Sequence, residues 1–239
     1  MSVDAGHGRR GGRFVVLADG DVSGRADIDR AWPGWADSLA GVVAADGGAR
    51  HAAELGLTID RWIGDGDSLD REELERLRAA GTRVDLVDRD KDASDTELAI
   101  GVALEEGADE LVVLGAFGGD RLDHSIANLS LLDHPGLGRR AVTLLDASAR
   151  VQLVRAPGAD GAPIEVPLPG RVGDLVSLLP YGADVQGVVT RGLRYPLVHE
   201  TLRAGAARGL SNVREAADAS ISVGSGGLLV VETPATLAP

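Results

Sequence analysis

A chain of 239 residues, 44% hydrophobic and 26% charged, has the size of one large domain or two small ones and enough apolar material for a real core. Its formal charge of −13 repels phosphate backbones and anionic lipid, which argues against a nucleic-acid or membrane-surface partner. It contains no Cys, which removes disulfides, zinc–thiolate sites and Cys nucleophiles and fits a cytoplasmic enzyme.

No apolar run reaches the roughly 18 residues a membrane-spanning helix needs. The Gly/Arg-rich start, Met1–Arg13, lacks the apolar segment of a secretory signal, so residues 1–12 read as a flexible tail. The charge is unevenly spread. Residues 46–123 hold nine basic and 21 acidic side chains, a net of −12, whereas residues 124–239 hold ten of each. Most of these acids read as solvated helix faces, as in Arg71-Glu72-Glu73-Leu74-Glu75-Arg76. A handful could face inward and hold a cation. Lys91 is the single Lys among 24 basic residues.

In chain order, short apolar runs at Phe14–Ala18, Gly41–Ala45, Arg61–Ile63, Val84–Val87, Leu111–Gly115 and Ala141–Leu145 predict buried strands of a mostly parallel sheet. Helical patterns lie between them near Gly48–Leu55, Leu69–Ala80, Asp95–Glu106 and Ser125–Leu132. Ser94-Asp95-Thr96-Glu97 has the form of a capping box that starts a helix at Asp95. This alternation predicts a doubly wound α/β domain over residues 13–148, with ligands bound outside the carboxyl ends of its strands.

The pattern changes at the Pro/Gly-rich stretch Ala156–Gly170. β-type runs follow at Leu175–Leu179, Val185–Thr190, Ile221–Val223 and Leu228–Glu232, with Gly224-Ser225-Gly226-Gly227 reading as a hairpin loop. Glu200–Ala207 is weakly helical in pattern. Residues 149–239 therefore predict a smaller all-β sandwich domain.

Four polar clusters fall at the predicted carboxyl ends of strands. Ala45-Asp46-Gly47-Gly48-Ala49 could let a helix N-terminus approach an anion closely, or it is an ordinary tight turn. In Gly64-Asp65-Gly66-Asp67-Ser68, two carboxylates two residues apart can reach one hard cation such as Mg²⁺. The alternative there is a helix cap from Asp67 or Ser68. Asp88-Arg89-Asp90-Lys91-Asp92-Ala93-Ser94-Asp95 surrounds the lone Lys with acids, and Asp95 also complements a helix dipole. Gly115-Ala116-Phe117-Gly118-Gly119-Asp120-Arg121-Leu122-Asp123-His124 offers close backbone approach and a guanidinium for phosphate, or a structural Arg–Asp pair. No Walker A loop, dinucleotide-binding Gly-x-Gly-x-x-Gly, nucleophile elbow or His metal spacing is present.

Taken together, these blocks resemble the thiamine pyrophosphokinase family in order and spacing. The carrying motifs are Ala45-Asp46-Gly47-Gly48-Ala49, Gly64-Asp65-Gly66-Asp67-Ser68, Asp90-Lys91-Asp92-Ala93-Ser94-Asp95-Thr96-Glu97 and Gly118-Gly119-Asp120-Arg121-Leu122-Asp123-His124 with Ala127-Asn128. Gly192-Leu193-Arg194-Tyr195-Pro196-Leu197, Gly209-Leu210-Ser211-Asn212 and the closing Gly-Gly-Leu-Leu-Val-Val-Glu join them in the β region. The resemblance runs from about Val42 to Thr233. It implies a homodimer that transfers a diphosphate group from ATP to the hydroxyl of thiamine.

By motif match it implies Mg²⁺ on Asp65, Asp67 and Asp95. Asp46, Lys91, Asp92 and Arg121 would serve catalysis, with Asp92 or Asp46 able to accept the hydroxyl proton. Nucleotide contacts would come from Gly47, Gly48, Arg121, Asp123, His124 and Asn128. Tyr195, Ser211 and Asn212 would shape the thiamine pocket. Ser94 stands where the family commonly has Thr, Asp120 looks inserted before Arg121, and residues 1–40 match poorly. A related diphosphokinase acting on a hydroxymethylpterin alcohol, and a non-catalytic ligand-sensing relative, are the competing readings.

Overall fold

A computed structural model describes residues 11–157 and 161–235, so most of the proposed N-terminal tail lies outside the described residues. Two compact units emerge. One comprises the chain up to Arg25 together with residues 34–143; the other comprises residues 26–33 and the chain from Leu144 onward.

The first unit is built on parallel strands β1 (Gly12–Leu17), β2 (Leu39–Ala45), β3 (Arg61–Gly64), β4 (Arg83–Leu86) and β5 (Ala108–Leu114), in the order β4-β3-β2-β1-β5. Gly12, assigned above to the tail, already belongs to β1. Phe14 to Ala18 and Val42 to Ala45 are buried, as continuous apolar runs in a parallel sheet require. Helix α1 (Arg25–Ala31) follows β1 in the chain but belongs, from residue 26, to the second unit; α2 (His51–Leu55), α3 (Arg71–Ala79), α4 (Asp95–Glu105) and α5 (Leu122–Ser130) alternate with the strands of the first, and a 3₁₀ turn at Asp46–Arg50 leads into α2.

Because β1 lies between β2 and β5, strand order reverses at its carboxyl end, the place where open α/β sheets open a ligand crevice. All five strands point the same way, so the loops after them share that edge.

Two helix starts differ from the sequence pattern. At α3 the cap is Asp70, whose carboxylate accepts from the Glu73 N–H at 2.8 Å while the Glu73 side chain accepts from the Asp70 N–H at 2.8 Å. Neither Asp67 nor Ser68 is used for capping. At α4 only half the box forms: Ser94 Oγ accepts from the Glu97 N–H at 3.2 Å, while the Glu97 carboxylate lies 3.5 Å from His134.

Strand β6 (Ala141–Asp146) spans the point where the chain passes between units. The second unit then forms β7 (Ala149–Ala156), β8 (Ile164–Pro167), β9 (Leu175–Arg191), β10 (Glu200–Leu202), β11 (Asn212–Val213), β12 (Ser220–Val223) and β13 (Ser225–Thr233). All pairings among them are antiparallel. One sheet pairs β7, β13 and the first half of β9; another pairs β8, β12 and the end of β9. Val154, Val176, Leu178, Leu228 and Val230 of the first sheet and Val188, Ile221 and Val223 of the second share one core.

Here three expectations are corrected. The two runs at Leu175–Leu179 and Val185–Thr190 are one long strand, β9, whose register with β13 shifts opposite Gly226. Gly224–Gly227 is no hairpin loop, because β12 and β13 pair in different sheets and the chain crosses between them there. Glu200–Ala207 opens as strand β10, held by β9 rather than by helical bonds.

Candidate active site

Asp46 follows β2 directly and sits at φ +45°, a left-handed conformation rare outside Gly, Asn and Asp. Buried Trp62 holds it there, its indole N–H donating to the Asp46 carbonyl at 2.9 Å. Side-chain adjustment follows from the next strand: Ser68 Oγ donates to Asp46 Oδ2, leaving Oδ1 buried without a hydrogen-bond partner. After β3, the Asp67 N–H donates to Asp65 Oδ1 at 3.0 Å, closing the loop around Gly66. The Arg50 guanidinium pins that loop through the Ser68 carbonyl.

One carboxylate oxygen each from Asp46, Asp65 and Asp67 then lies within 4.8 Å of the other two. Three carboxylates so close, with one oxygen orphaned, form a hard oxygen donor set suited to a divalent cation. Burial pushes the Asp46 carboxyl above its usual range; Ser68 opposes this, and the charges of Asp95, Asp65 and Asp67 add to it. Asp67 is held below its usual range, chiefly by its hydrogen bond from Arg89.

The lone lysine is half-buried, its Nζ 3.0 Å from Asp95 Oδ1 at the start of α4. Asp95 thus stands beside the trio, within Coulombic reach of Asp46, while engaged by Lys91. Asp92 is exposed in the turn before α4.

After β5, Gly118 and Gly119 sit at φ +80° and +71°, conformations only glycine adopts without strain. The Gly47 and Gly48 backbone comes as close to the β1 end, where a side chain on Gly47 would fall on the Asp19 carboxylate and one on Gly48 on the Leu17 carbonyl. The Arg121 guanidinium pairs with Asp123, Nε at 3.1 Å from Oδ1, and both are exposed, as is His124. This pairing holds Asp123 below the usual carboxylate range. Asn128 is buried, its amide donating to the Ala116 carbonyl at 2.9 Å, so it fixes the glycine loop from below.

In the β unit, Asn212 is likewise a clamp. Its amide donates to the Tyr195 carbonyl at 2.7 Å and its carbonyl accepts from the Tyr195 N–H at 2.9 Å. Tyr195 itself is 55% exposed, and Ser211, at φ +56°, is exposed beside Asn212.

Arg50, Trp62, Arg89, Asp19 and Asp21 were not singled out from sequence. The Asp-Gly-Asp after β1 carried the same signal as the other strand ends; Trp62, Arg50 and Arg89 carried none, because their roles depend on bonds to residues 16 to 22 positions away. The Trp32–Trp35 segment also acquires a structural role. The Trp32 indole donates to the Asp146 carbonyl at 2.8 Å and lies under Arg150, while Trp35 is buried under Arg25.

Two family models match the chain: thiamin pyrophosphokinase, catalytic domain, over residues 35–142, and thiamin pyrophosphokinase, vitamin B1 binding domain, over residues 163–228. The thiamine pyrophosphokinase of Bacillus subtilis (strain 168) is 25% identical over 213 residues, covering 89% of this chain and 92% of that protein. Among solved structures, a thiamine pyrophosphokinase from Bacillus subtilis superposes with a TM-score of 0.78 at 23% identity, covering 93% of this chain and 99% of that one. A thiamin pyrophosphokinase family protein from Enterococcus faecalis gives 0.76 at 27% identity with the same coverage. The fold extends to a thiamin pyrophosphokinase from Candida albicans, with a TM-score of 0.74 at 14% identity, covering 92% and 88%. With both of its family's domains matched in order on the observed α/β and antiparallel β units, the chain belongs to the thiamin pyrophosphokinase family.

Proposed function

We propose that this chain is a thiamine diphosphokinase that moves the terminal diphosphate of ATP onto the hydroxyl of thiamine, releasing AMP. The observation that carries the finer reading is the Asp46–Asp65–Asp67 trio, with the buried Asp46 oxygen left unpaired. An acidic crevice and a polyanionic substrate are compatible only through a cation.

Asp46, Asp65 and Asp67 would hold Mg²⁺, with Asp95 completing the acidic wall. The ion would offset phosphate charge and polarise the β-phosphoryl group. Lys91 and Arg121 bind phosphate oxygens, and in doing so exchange their carboxylate partners Asp95 and Asp123 for the substrate. The glycine backbone at Gly47-Gly48 and Gly118-Gly119 lets the nucleotide approach closely, Asp123 and His124 line the same edge, and Asn128 keeps that loop in place.

The thiamine oxygen attacks the β-phosphorus in line as the bond to the α,β-bridging oxygen breaks. Asp92 would take the hydroxyl proton, since one Asp46 oxygen already accepts from Ser68 and the other, buried and unpaired, would be taken by the cation. Positioning supplies much of the rate. In the β unit the exposed Tyr195 ring offers a face to the cationic thiazolium, with Asn212 and Ser211 setting its loop. We extend the reading to a homodimer working in the cytoplasm; no helix among the described residues is long and apolar enough to cross a membrane.

The test is an acceptor panel with ATP and Mg²⁺: thiamine should yield AMP and thiamine diphosphate in equal amounts. Diphosphorylation of a hydroxymethylpterin instead would transfer the reading to the competing diphosphokinase.

A further inference from the structure

The trio of carboxylates is not bare. Strand β4 ends at Leu86 and Val87 prolongs its pairing, the Val87 N–H donating to the Gly64 carbonyl at 3.0 Å. The Asp90 N–H then donates to Asp88 Oδ1 at 3.0 Å, which turns the chain over the neighbouring β3 loop. That turn directs Arg89 onto the cluster. Its guanidinium pairs with Asp67, and its Nε lies 3.7 Å from Asp65 Oδ2.

Arg89 is therefore shared by two of the three carboxylates that would hold the cation. Its side chain is 75% exposed and, among the described residues, these two carboxylates are its partners, so it is free to leave. An exposed ion pair of this kind contributes little to the fold. Against a divalent ion it is a competitor, because both need the same oxygens and their charges repel.

We propose that Arg89 is a resident counter-ion of the metal site: it neutralises Asp65 and Asp67 before the metal arrives, is displaced by metal, and then binds the phosphate that accompanies it. The inference rests on the metal reading given above. Its chemistry follows from where the guanidinium goes. Displaced from the carboxylates, it remains on the β4 loop beside them, a planar donor next to an incoming polyanion. Arg prefers phosphate oxygens, which it can bind through two N–H groups at once. One side chain thus opposes metal alone and favours metal with nucleotide, so the site charges fully only when both are present.

The two halves predict opposite changes in one variant. Arg89→Gln removes the charge and keeps a polar side chain on an exposed position. Mn²⁺ alone, followed by the paramagnetic signal of the free ion, should bind the variant about two- to fivefold tighter than the wild type, the range an exposed ion pair spans. The complex of Mn²⁺ with α,β-methylene ATP, whose carbon bridge replaces the bond to be broken, should bind about three- to tenfold weaker. Arg89→Lys keeps the charge and should restore the wild-type Mn²⁺ affinity.

A merely structural Arg89 would shift both affinities in the same direction, and that result, or an unchanged Mn²⁺ affinity, overturns the proposal. Wild type and variant both failing to bind Mn²⁺, with or without nucleotide, would overturn the metal reading itself and this inference with it.

Discussion

Removing an acid from a folded protein that uses it structurally weakens the fold; removing one from a loaded cation site strengthens the metal-free fold. Asp46→Asn separates these cases. The Asp46, Asp65 and Asp67 oxygens lie within 4.8 Å of one another, and Arg89 already offsets Asp67. Counting the Asp46–Asp65 repulsion alone, Coulomb's law gives about 0.9 kcal/mol in water and about 3.5 kcal/mol at an effective dielectric of ~20. The substitution forfeits the charge on the bond from Ser68, about 1 kcal/mol, while Asn accepts the same hydrogen bond. Asn also tolerates the φ of +45° found at this position. The balance is a metal-free variant more stable by about 1 kcal/mol, or about 2–4 °C in apparent Tm for a chain of this length. Thermal unfolding in EDTA measures it directly. Repeating the melt in Mg²⁺ should raise the wild-type Tm by mass action and leave the variant unmoved. A variant less stable than wild type in EDTA, and still stabilised by Mg²⁺, would refute the assignment of Asp46.

Asn212→Ala removes both bonds to the Tyr195 backbone, so KM for thiamine should rise about tenfold while KM for ATP holds; equal rises in both would mean a general loss of folding. Arg214 is fully buried and donates to Glu232 Oε1 at 2.8 Å, with Arg150 on the other Glu232 oxygen. Arg214→Met should therefore cost about 3–5 kcal/mol in urea unfolding, because Glu232 stays buried with half its partners gone. Losing less than 1 kcal/mol would show that Glu232 simply takes up a proton there.

Strands β1, β2, β3 and β5 were legible because a parallel sheet buries both faces and leaves uninterrupted apolar runs such as Phe14–Ala18, whereas β4, expected as a buried strand, has no buried residue and leaves Leu86 58% exposed at the end of the strand order. Helix α1 was missed because it buries only Ile28 and Ala31, too little periodicity to stand out. β9 read as two strands because Pro180 and Gly182 interrupt the apolar pattern; Pro180 stays paired with Leu228, and Gly182 falls in the register shift that follows within the same strand. The clusters at the strand ends were legible as polar motifs following apolar runs. Their internal chemistry was not. Asp95 read as an equal of Asp65 and Asp67, whereas Asp46 shares their 4.8 Å group and Asp95 pairs with Lys91. Similarly, nothing in the spacing shows that Asn128 and Asn212, read as ligand contacts, also hydrogen-bond the backbone at Ala116 and Tyr195. Such distinctions depend on where one strand's loop falls against the next, which no spacing along the chain records.

In the function proposed above, carboxylates recruit a cation so that an acidic protein can use ATP on thiamine. Purified protein with ATP, thiamine and Mg²⁺, assayed by mass detection of thiamine diphosphate with and without excess EDTA, tests it most directly. Thiamine diphosphate and equimolar AMP should form in Mg²⁺, and neither in EDTA. Undiminished product in EDTA, or AMP released without thiamine diphosphate, would contradict it.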